Sequence, residues 1–200
     1  MSGERVRKRG TMDFDNPTIL EAFCMEWFGN RLASPLYMRY VSKLGLTGNE
    51  RVMDFGCGGG VLAKQFAKIL NHDGSVTCLD TSAFWLAKAK QRLKRFQQVD
   101  FACRDITKLN IPDSSYDVVS IHFVLHDITP DRRAEIITAL ARILKAKGRL
   151  FIREPTKASH GMPAAEIRAL MRTAGLKEKN GIERRCLFLG PVYKGVFEKS

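Results

Sequence analysis

Short apolar runs alternate with segments whose apolar positions recur every three to four residues, and this alternation holds from Arg51 to Glu154. The runs Arg51–Asp54, Ser75–Asp80, Val99–Cys103 and Asp117–Ile121 are too short for helices and read as buried strands, with a fifth following Gly148 and ending near Glu154. Between them, Leu62, Phe66, Ile69 and Leu70 share one helical face, with Lys64 and Lys68 turned away. Trp85, Leu86, Ala89, Leu93 and Phe96 form a second such face. A helix near Ala164 to Thr173 then precedes two strands, Arg184 to Leu189 and Val192 to Glu198, whose tight Gly190-Pro191 link makes them antiparallel neighbours. Ahead of the alternating region, Ile19, Leu20, Phe23, Trp27 and Phe28 form an apolar helical face, and a second helix runs from Pro35 to Leu44. Strands separated by helices predict an α/β protein with a mostly parallel sheet, here ending in an antiparallel hairpin.

The sharpest local signal is Arg51-Val-Met-Asp-Phe-Gly-Cys-Gly-Gly-Gly60, a strand ending in an acid and followed by glycines that open a helix. A sharp strand-to-helix turn needs residues without a Cβ, and so does a ligand lying on the backbone. Gly56 and Gly58 meet both needs. The spacing is Gly-x-Gly-x-Gly rather than the dinucleotide Gly-x-Gly-x-x-Gly, and Asp54 stands just upstream. That combination suits a ligand with a cationic head and a carboxylate, such as S-adenosylmethionine, better than a pyrophosphate.

On these residues the chain resembles the class I, Rossmann-like S-adenosylmethionine-dependent methyltransferases, whose first motif is an apolar strand followed by Asp or Glu-x-Gly-x-Gly-x-Gly, here Asp54, Gly56, Gly58 and Gly60, with Cys57 inside the turn. Three further motifs follow in order. Asp80 ends the second strand, where Rossmann-like folds bind ribose hydroxyls; its alternative is an N-cap for the helix starting near Ser82. Asp80-Thr-Ser-Ala-Phe-Trp-Leu-Ala-Lys-Ala89 resembles the family's Asp-x-Ser-x-x-Met-Leu-x-x-Ala, which puts Thr81 at the cofactor and leaves Trp85, in place of Met, either at the adenine edge or in the core. Asp105 and Ile106 match the adenine-binding pair, with a solvated turn as the alternative for Asp105. Ser115-Tyr-Asp-Val-Val-Ser-Ile-His-Phe-Val-Leu-His-Asp-Ile128 resembles the fourth motif, which implies that Ser120 and His122 lie beside the methyl donor. Residues 141–154 resemble the helix, turn and strand that usually read Leu-Lys-Pro-Gly-Gly-x-Leu, with Ala146 and Lys147 replacing Pro and Gly and Gly148 retained.

The resemblance spans about residues 50 to 155. It implies a three-layer α/β/α sandwich built on a doubly wound, seven-stranded sheet. Residues 49–200 would form the Rossmann-like core and residues 13–48 a helical lid, in which Tyr37 and Arg39 are candidate contacts. Residues 1–12 read as a disordered basic arm, because Met1 to Arg9 lacks the apolar stretch of a signal peptide.

Composition narrows the class. Hydrophobic residues make up 44% of the 200, and no apolar run approaches the ~18 residues of a membrane span. The five cysteines, at 24, 57, 78, 103 and 186, are scattered and odd in number, as expected of reduced thiols in a cytoplasmic protein. No metal is expected, since His122 and His126 share a four-residue interval but straddle a strand end and a loop. The net charge of +12 is concentrated in residues 141–200, where 14 Lys and Arg meet 5 Asp and Glu. That excess attracts anions, yet the sequence lacks an Asp/Asn-Pro-Pro-Tyr/Phe motif, a cysteine-nucleophile motif and an appended RNA-binding module.

The resulting expectation is methyl transfer from S-adenosylmethionine to a small-molecule acceptor, as in the quinone-biosynthesis group, by in-line displacement. The other readings are a nucleic-acid methyltransferase and a non-catalytic S-adenosylmethionine-binding protein. Displacement from a sulfonium needs mainly alignment and desolvation from the protein. Where the acceptor must lose a proton, His122, His126 and Glu154 are the base candidates, all at carboxyl ends of central strands.

Overall fold

Strand β1 (Arg51–Phe55) lies in the middle of the sheet, paired in parallel with β2 (Ser75–Asp80) on one side and β4 (Tyr116–His122) on the other. The computed structural model describes residues 34–186 and 190–200. Beyond β2 lies β3 (Val99–Cys103), also parallel; beyond β4 come β5 (Leu144–Pro155), then β7 (Gly190–Lys199) and β6 (Leu176–Cys186), giving the order β3-β2-β1-β4-β5-β7-β6. The last two strands run antiparallel to their neighbours.

Helices α2 (Val61–Ile69), α3 (Ala83–Leu93), α4 (Pro130–Ile143) and α5 (Ala164–Thr173) connect the strands, and α1 (Ser34–Val41) precedes β1. Alternate residues of each strand face opposite helical layers. Val52, Val118 and Phe151 pack with Leu62, Phe66 and Leu86 of α2 and α3, whereas Met53, Val119 and Ile152 pack with Ile136, Ile137 and Leu140 of α4. Burying both faces explains why these strands are continuously apolar rather than alternating. The seven-stranded doubly wound sheet expected from the sequence is therefore present.

The closing hairpin differs from expectation. β6 begins at Leu176, well before Arg184, and Gly190 and Pro191 are the first residues of β7, opposite Cys186 and Arg185, rather than the link between strands. The polar run Lys177 to Arg185 hid this strand, because β6 is an edge with most of its side chains exposed. The expected helix from Pro35 to Leu44 is α1, ending in turns after Val41. The basic arm and the face formed by Ile19, Leu20, Phe23, Trp27 and Phe28 lie outside the described residues. No helix among the described residues is long and apolar enough to cross a membrane.

Candidate functional site

Gly56, Gly58 and Gly60 all adopt positive φ, at 67°, 50° and 75°, which links β1 directly into α2. Their surroundings differ. A Cβ on Gly56 would lie 2.4 Å from Val124 Cγ2, and one on Gly60 would meet Ala89 and Leu93 at 3.0 Å, so both glycines are required by packing. A Cβ on Gly58 would meet nothing among the described residues within 4 Å. The glycine at the tip of the turn thus faces open space, where a ligand has room. Cys57 does not share that space: its side chain is buried in the core on the α2 side, and a hydrogen bond with the Cys78 thiol, together with burial, pushes its pKa up.

Asp80 ends β2 with Oδ2 accepting from the Gly58 amide at 2.8 Å and Oδ1 accepting from the Ser82 amide at 2.9 Å. The N-cap of α3 is Ser82 itself, so the capping alternative for Asp80 does not hold; its carboxylate instead ties the glycine turn to the start of α3. Thr81 is exposed beside it, while Trp85 is 7% exposed with its ring edge-on to Phe84.

Asp105 caps the single turn Ile106–Lys108, accepting from the Thr107 amide at 3.0 Å, and its other oxygen accepts from Arg132 of α4 at 2.9 Å. Burial alone would raise its pKa, but the Thr107 amide and Arg132 outweigh that and hold the carboxyl below its usual range. Ile106 places its side chain in the core, so only its backbone is positioned for an adenine. Arg132 carried no sequence signal, because its partner is 27 residues away.

Asp54 and Ser120 are register partners at the ends of β1 and β4, both buried. Burial raises the Asp54 pKa to about 7; the Ser120 hydroxyl opposes the shift, the charge of Asp80 adds to it, and the Ala63 amide opposes it. Asp54 Oδ2 has no hydrogen-bond partner among the described residues. The same holds for both ring nitrogens of His122, one turn of the pleat further along β4. His122 is enclosed by the rings of Tyr37, Tyr40 and Phe123 at centroid distances of 4.7, 5.5 and 4.6 Å. Burial, followed by the charges of Arg153 and Lys194, holds the imidazole well below its ordinary pKa, hence neutral. Tyr37 is thus at the site. Tyr40 joins it from the next turn of α1, an i,i+3 spacing that a helical-face reading would have detected.

Glu154 and His126 occupy a different position. Glu154 is fully buried on the opposite sheet face, its Oε1 accepting from the amides of Val124 and Leu125 at 2.8 and 2.7 Å and its Oε2 bonded to His126 Nδ1 at 2.6 Å. Burial opposes protonation of His126, but Glu154 outweighs it and raises the imidazole pKa. Together the two side chains pin the turn Leu125–Asp127 that follows β4. His126, Asp127 and His160 bring ligand atoms within 4.8 Å of one another, with Asp127 and His160 exposed. Within this group His126 Nε2 lies 3.5 Å from Asp127 Oδ1, while His126 Nδ1 is engaged by Glu154. His122 stands apart, so the structure does not unite the histidine pair of the four-residue interval.

These residues fit S-adenosylmethionine: an open glycine tip before a helix N-terminus, a carboxyl near the end of β1 whose Oδ2 has no partner among the described residues, and a carboxylate at the end of β2. Residues 52–148 match a family model described as a methyltransferase domain. Residues 52–148 thus carry a methyltransferase domain, in a fold that S-adenosylmethionine-dependent methyltransferases share.

Among individual relatives, the ubiquinone/menaquinone biosynthesis C-methyltransferase UbiE of Pseudomonas paraeruginosa is 32% identical over 131 residues, covering 64% of this chain and 50% of the relative. The UbiE of Azotobacter vinelandii is 31% identical over 64% of this chain and 51% of its own length. The chain therefore spans about half the length of the curated relatives it matches. The fold is similar to that of a SAM-dependent methyltransferase from Aquifex aeolicus, with a TM-score of 0.70 and 17% identity over 89% of this chain and 98% of that one. It is also similar to the N-methyltransferase NodS from Bradyrhizobium japonicum, with a TM-score of 0.69 and 18% identity over 86% and 87% of the two chains. The [4+2]-cyclase SpnF shares the fold as well, with a TM-score of 0.72 and 17% identity over 84% and 81%.

Proposed function

We propose that this chain transfers a methyl group from S-adenosylmethionine to a small-molecule acceptor, with His122 as the group that takes the acceptor's proton. The observation that carries the reading is the placement of Asp54 Oδ2 and the His122 ring nitrogens, buried and without a hydrogen-bond partner among the described residues, near the ends of adjacent strands and next to the open Gly58 position. The bound donor supplies an electrophilic methyl group together with its own leaving group. Asp54 orients the donor's cationic amine, Asp80 holds the ribose, and the backbone of Gly58 leaves room for the methionine portion. Tyr37 and Tyr40 exclude water from the space over His122, where desolvation strengthens the alignment of acceptor and methyl carbon. The His122 imidazole is neutral and so has a lone pair to take a proton, though its burial and the nearby cations oppose the charged form until an anionic acceptor offsets them, whereas the Glu154–His126 pair is committed to holding the turn after β4. The free thiols of Cys57 and Cys78, buried together, support a cytoplasmic setting.

The test has two arms. Calorimetry with S-adenosylhomocysteine should show saturable binding, and labelled S-adenosylmethionine should methylate a low-molecular-weight component of a cell extract. The fold of SpnF supports a second reading, donor binding without methyl transfer, because the same architecture there belongs to a cyclase. Saturable binding with no labelled acceptor in any extract favours that reading.

A further inference from the structure

We propose that the acceptor carries an oxyanion, a carboxylate or phosphate on a small planar body, and that Arg153 and Lys194 receive it beside His122. The inference rests on the methyltransferase reading above and names the acceptor class for that same site. Its basis is a row of side chains across three adjacent strands. His122 of β4 is the register partner of Arg153 of β5, which is in turn the partner of Lys194 of β7. Register partners project from the same sheet face, and this face carries Phe151 and Val196 next to α1 and α2.

Arg153 is 8% exposed and forms no ion pair or side-chain hydrogen bond among the described residues; its Nε is shielded from solvent without a partner. Its recorded contact is the face of the Phe123 ring, 5.0 Å from the centroid. Tyr37, Tyr40 and Phe123 pack on the ring of His122, Phe123 also meets the guanidinium of Arg153, and the register places Lys194 beside it. Glu154, the nearest acid in sequence, projects from the other face and is engaged by Val124, Leu125 and His126. Lys194 also lines a cavity of about 110 Å³ with Tyr40, Phe151 and Asn180.

A buried guanidinium that no acid among the described residues pairs with is costly unless something anionic meets it, and its planar fork matches carboxylate and phosphate oxygens in pairs. Lys194 adds a second positive charge from the next strand. The rings of Tyr37, Tyr40 and Phe123 give the space flat apolar walls suited to a planar body. The donor's own carboxylate is a less fitting occupant. The groups that fit the donor, Gly58, Asp80 and Asp105, stand at the ends of β1, β2 and β3, whereas Arg153 and Lys194 lie on the far side of β4.

The experiment is calorimetry on the protein saturated with S-adenosylhomocysteine, titrated with 4-hydroxybenzoate, phenyl phosphate and the neutral 4-hydroxybenzamide. At least one oxyanion probe should bind about ten-fold or more tighter than the amide, and which one does so identifies carboxylate or phosphate. Arg153→Gln should abolish that preference, and Lys194→Gln, a partly exposed position that tolerates change more readily, should weaken it several-fold. S-adenosylhomocysteine affinity should stay within about two-fold in both. Equal binding of amide and oxyanions, no binding of either oxyanion, or a preference that survives both substitutions would overturn the inference. So would a ten-fold loss of S-adenosylhomocysteine affinity in Arg153→Gln, which would assign the guanidinium to the donor. Failure of the unsubstituted protein to bind S-adenosylhomocysteine would instead remove the methyltransferase reading.

Discussion

The carboxylate of Asp80 accepts a 2.8 Å hydrogen bond from the amide of Gly58, 22 residues earlier in the chain, and so ties the end of β2 to the tip of the glycine turn. The side chain proposed to hold the ribose is also the anchor of the turn. Asp80→Ala is therefore expected to weaken S-adenosylhomocysteine binding by about 1–3 kcal/mol, through loss of a charged hydrogen bond and through loosening of the turn. Unchanged affinity by calorimetry would remove Asp80 from the site.

The glycines of the turn should separate folding from binding. Gly56→Ala forces a methyl against Val124 at a positive φ and should cost about 2–4 kcal/mol of stability in urea denaturation. Gly58→Ala meets open space and should cost only about 1 kcal/mol, from its φ of 50°. Its donor affinity should nevertheless fall, because the methyl occupies the ligand's space. If Gly58→Ala binds S-adenosylhomocysteine normally, the open position is not where the donor lies.

Glu154 satisfies two amides and an imidazole in a fully buried position. Glu154→Ala leaves three donors without an acceptor and should destabilise the protein by about 3–5 kcal/mol. Glu154→Gln should cost less, since its carbonyl can keep the two amides while His126 changes tautomer. Normal denaturation midpoints combined with abolished methyl transfer would return Glu154 to the role of chemical base.

Asp54 should leave a signature in the pH dependence of stability. Its pKa is raised from 3.8 to about 7 in the folded protein, so the folded chain retains a proton that the unfolded chain releases near pH 4. The stabilisation is complete below the unfolded value and is lost as pH rises through about 7, at no more than about 1.4 kcal/mol per pH unit. Urea titrations should show the stability of the native protein falling relative to Asp54→Asn across this window, with the difference flat above it. Parallel curves would mean that Asp54 ionises normally.

Lys147 stands where the family resemblance places Gly, and it adopts a φ of 59° within β5, in the irregular stretch between the pairings of Leu144 and Arg149 with β4. A left-handed lysine carries a steric cost that glycine avoids, partly offset by glycine's larger entropy loss on folding. Lys147→Gly should raise stability by about 0.5–1 kcal/mol, read from the urea midpoint. A lower midpoint would show that the lysine side chain contributes more than its backbone costs.

Where the sequence reading fell short, the reason is that the relevant partners are distant or exposed. Strand β6 was legible only at its end, because an edge strand exposes most of its side chains and loses the apolar run that marks its central neighbours. Arg153 and Lys194 looked like members of a general basic excess. Nothing along the chain distinguishes a buried cation from a solvated one, since burial depends on what neighbouring strands and α1 bring over it. His122, His126 and Glu154 were equivalent base candidates by position at strand ends. The pleat separated them, sending His122 to the α1 side and Glu154 to the other face.

By itself the sequence determined the parallel sheet, the glycine turn and the acids at the ends of β1, β2 and β3. Those follow from local rules: apolar runs, helical periodicity and the steric demands of a turn act over a few residues. Only the tertiary structure decided which glycine faces open space, which carboxylates are already engaged, and that His122, Arg153 and Lys194 form one row. These outcomes depend on strand order and on alternation across the sheet, which bring together residues 31 and 41 positions apart. The physical reason is that hydrogen-bond satisfaction and burial are properties of neighbours in space, and neighbours in space are set by register.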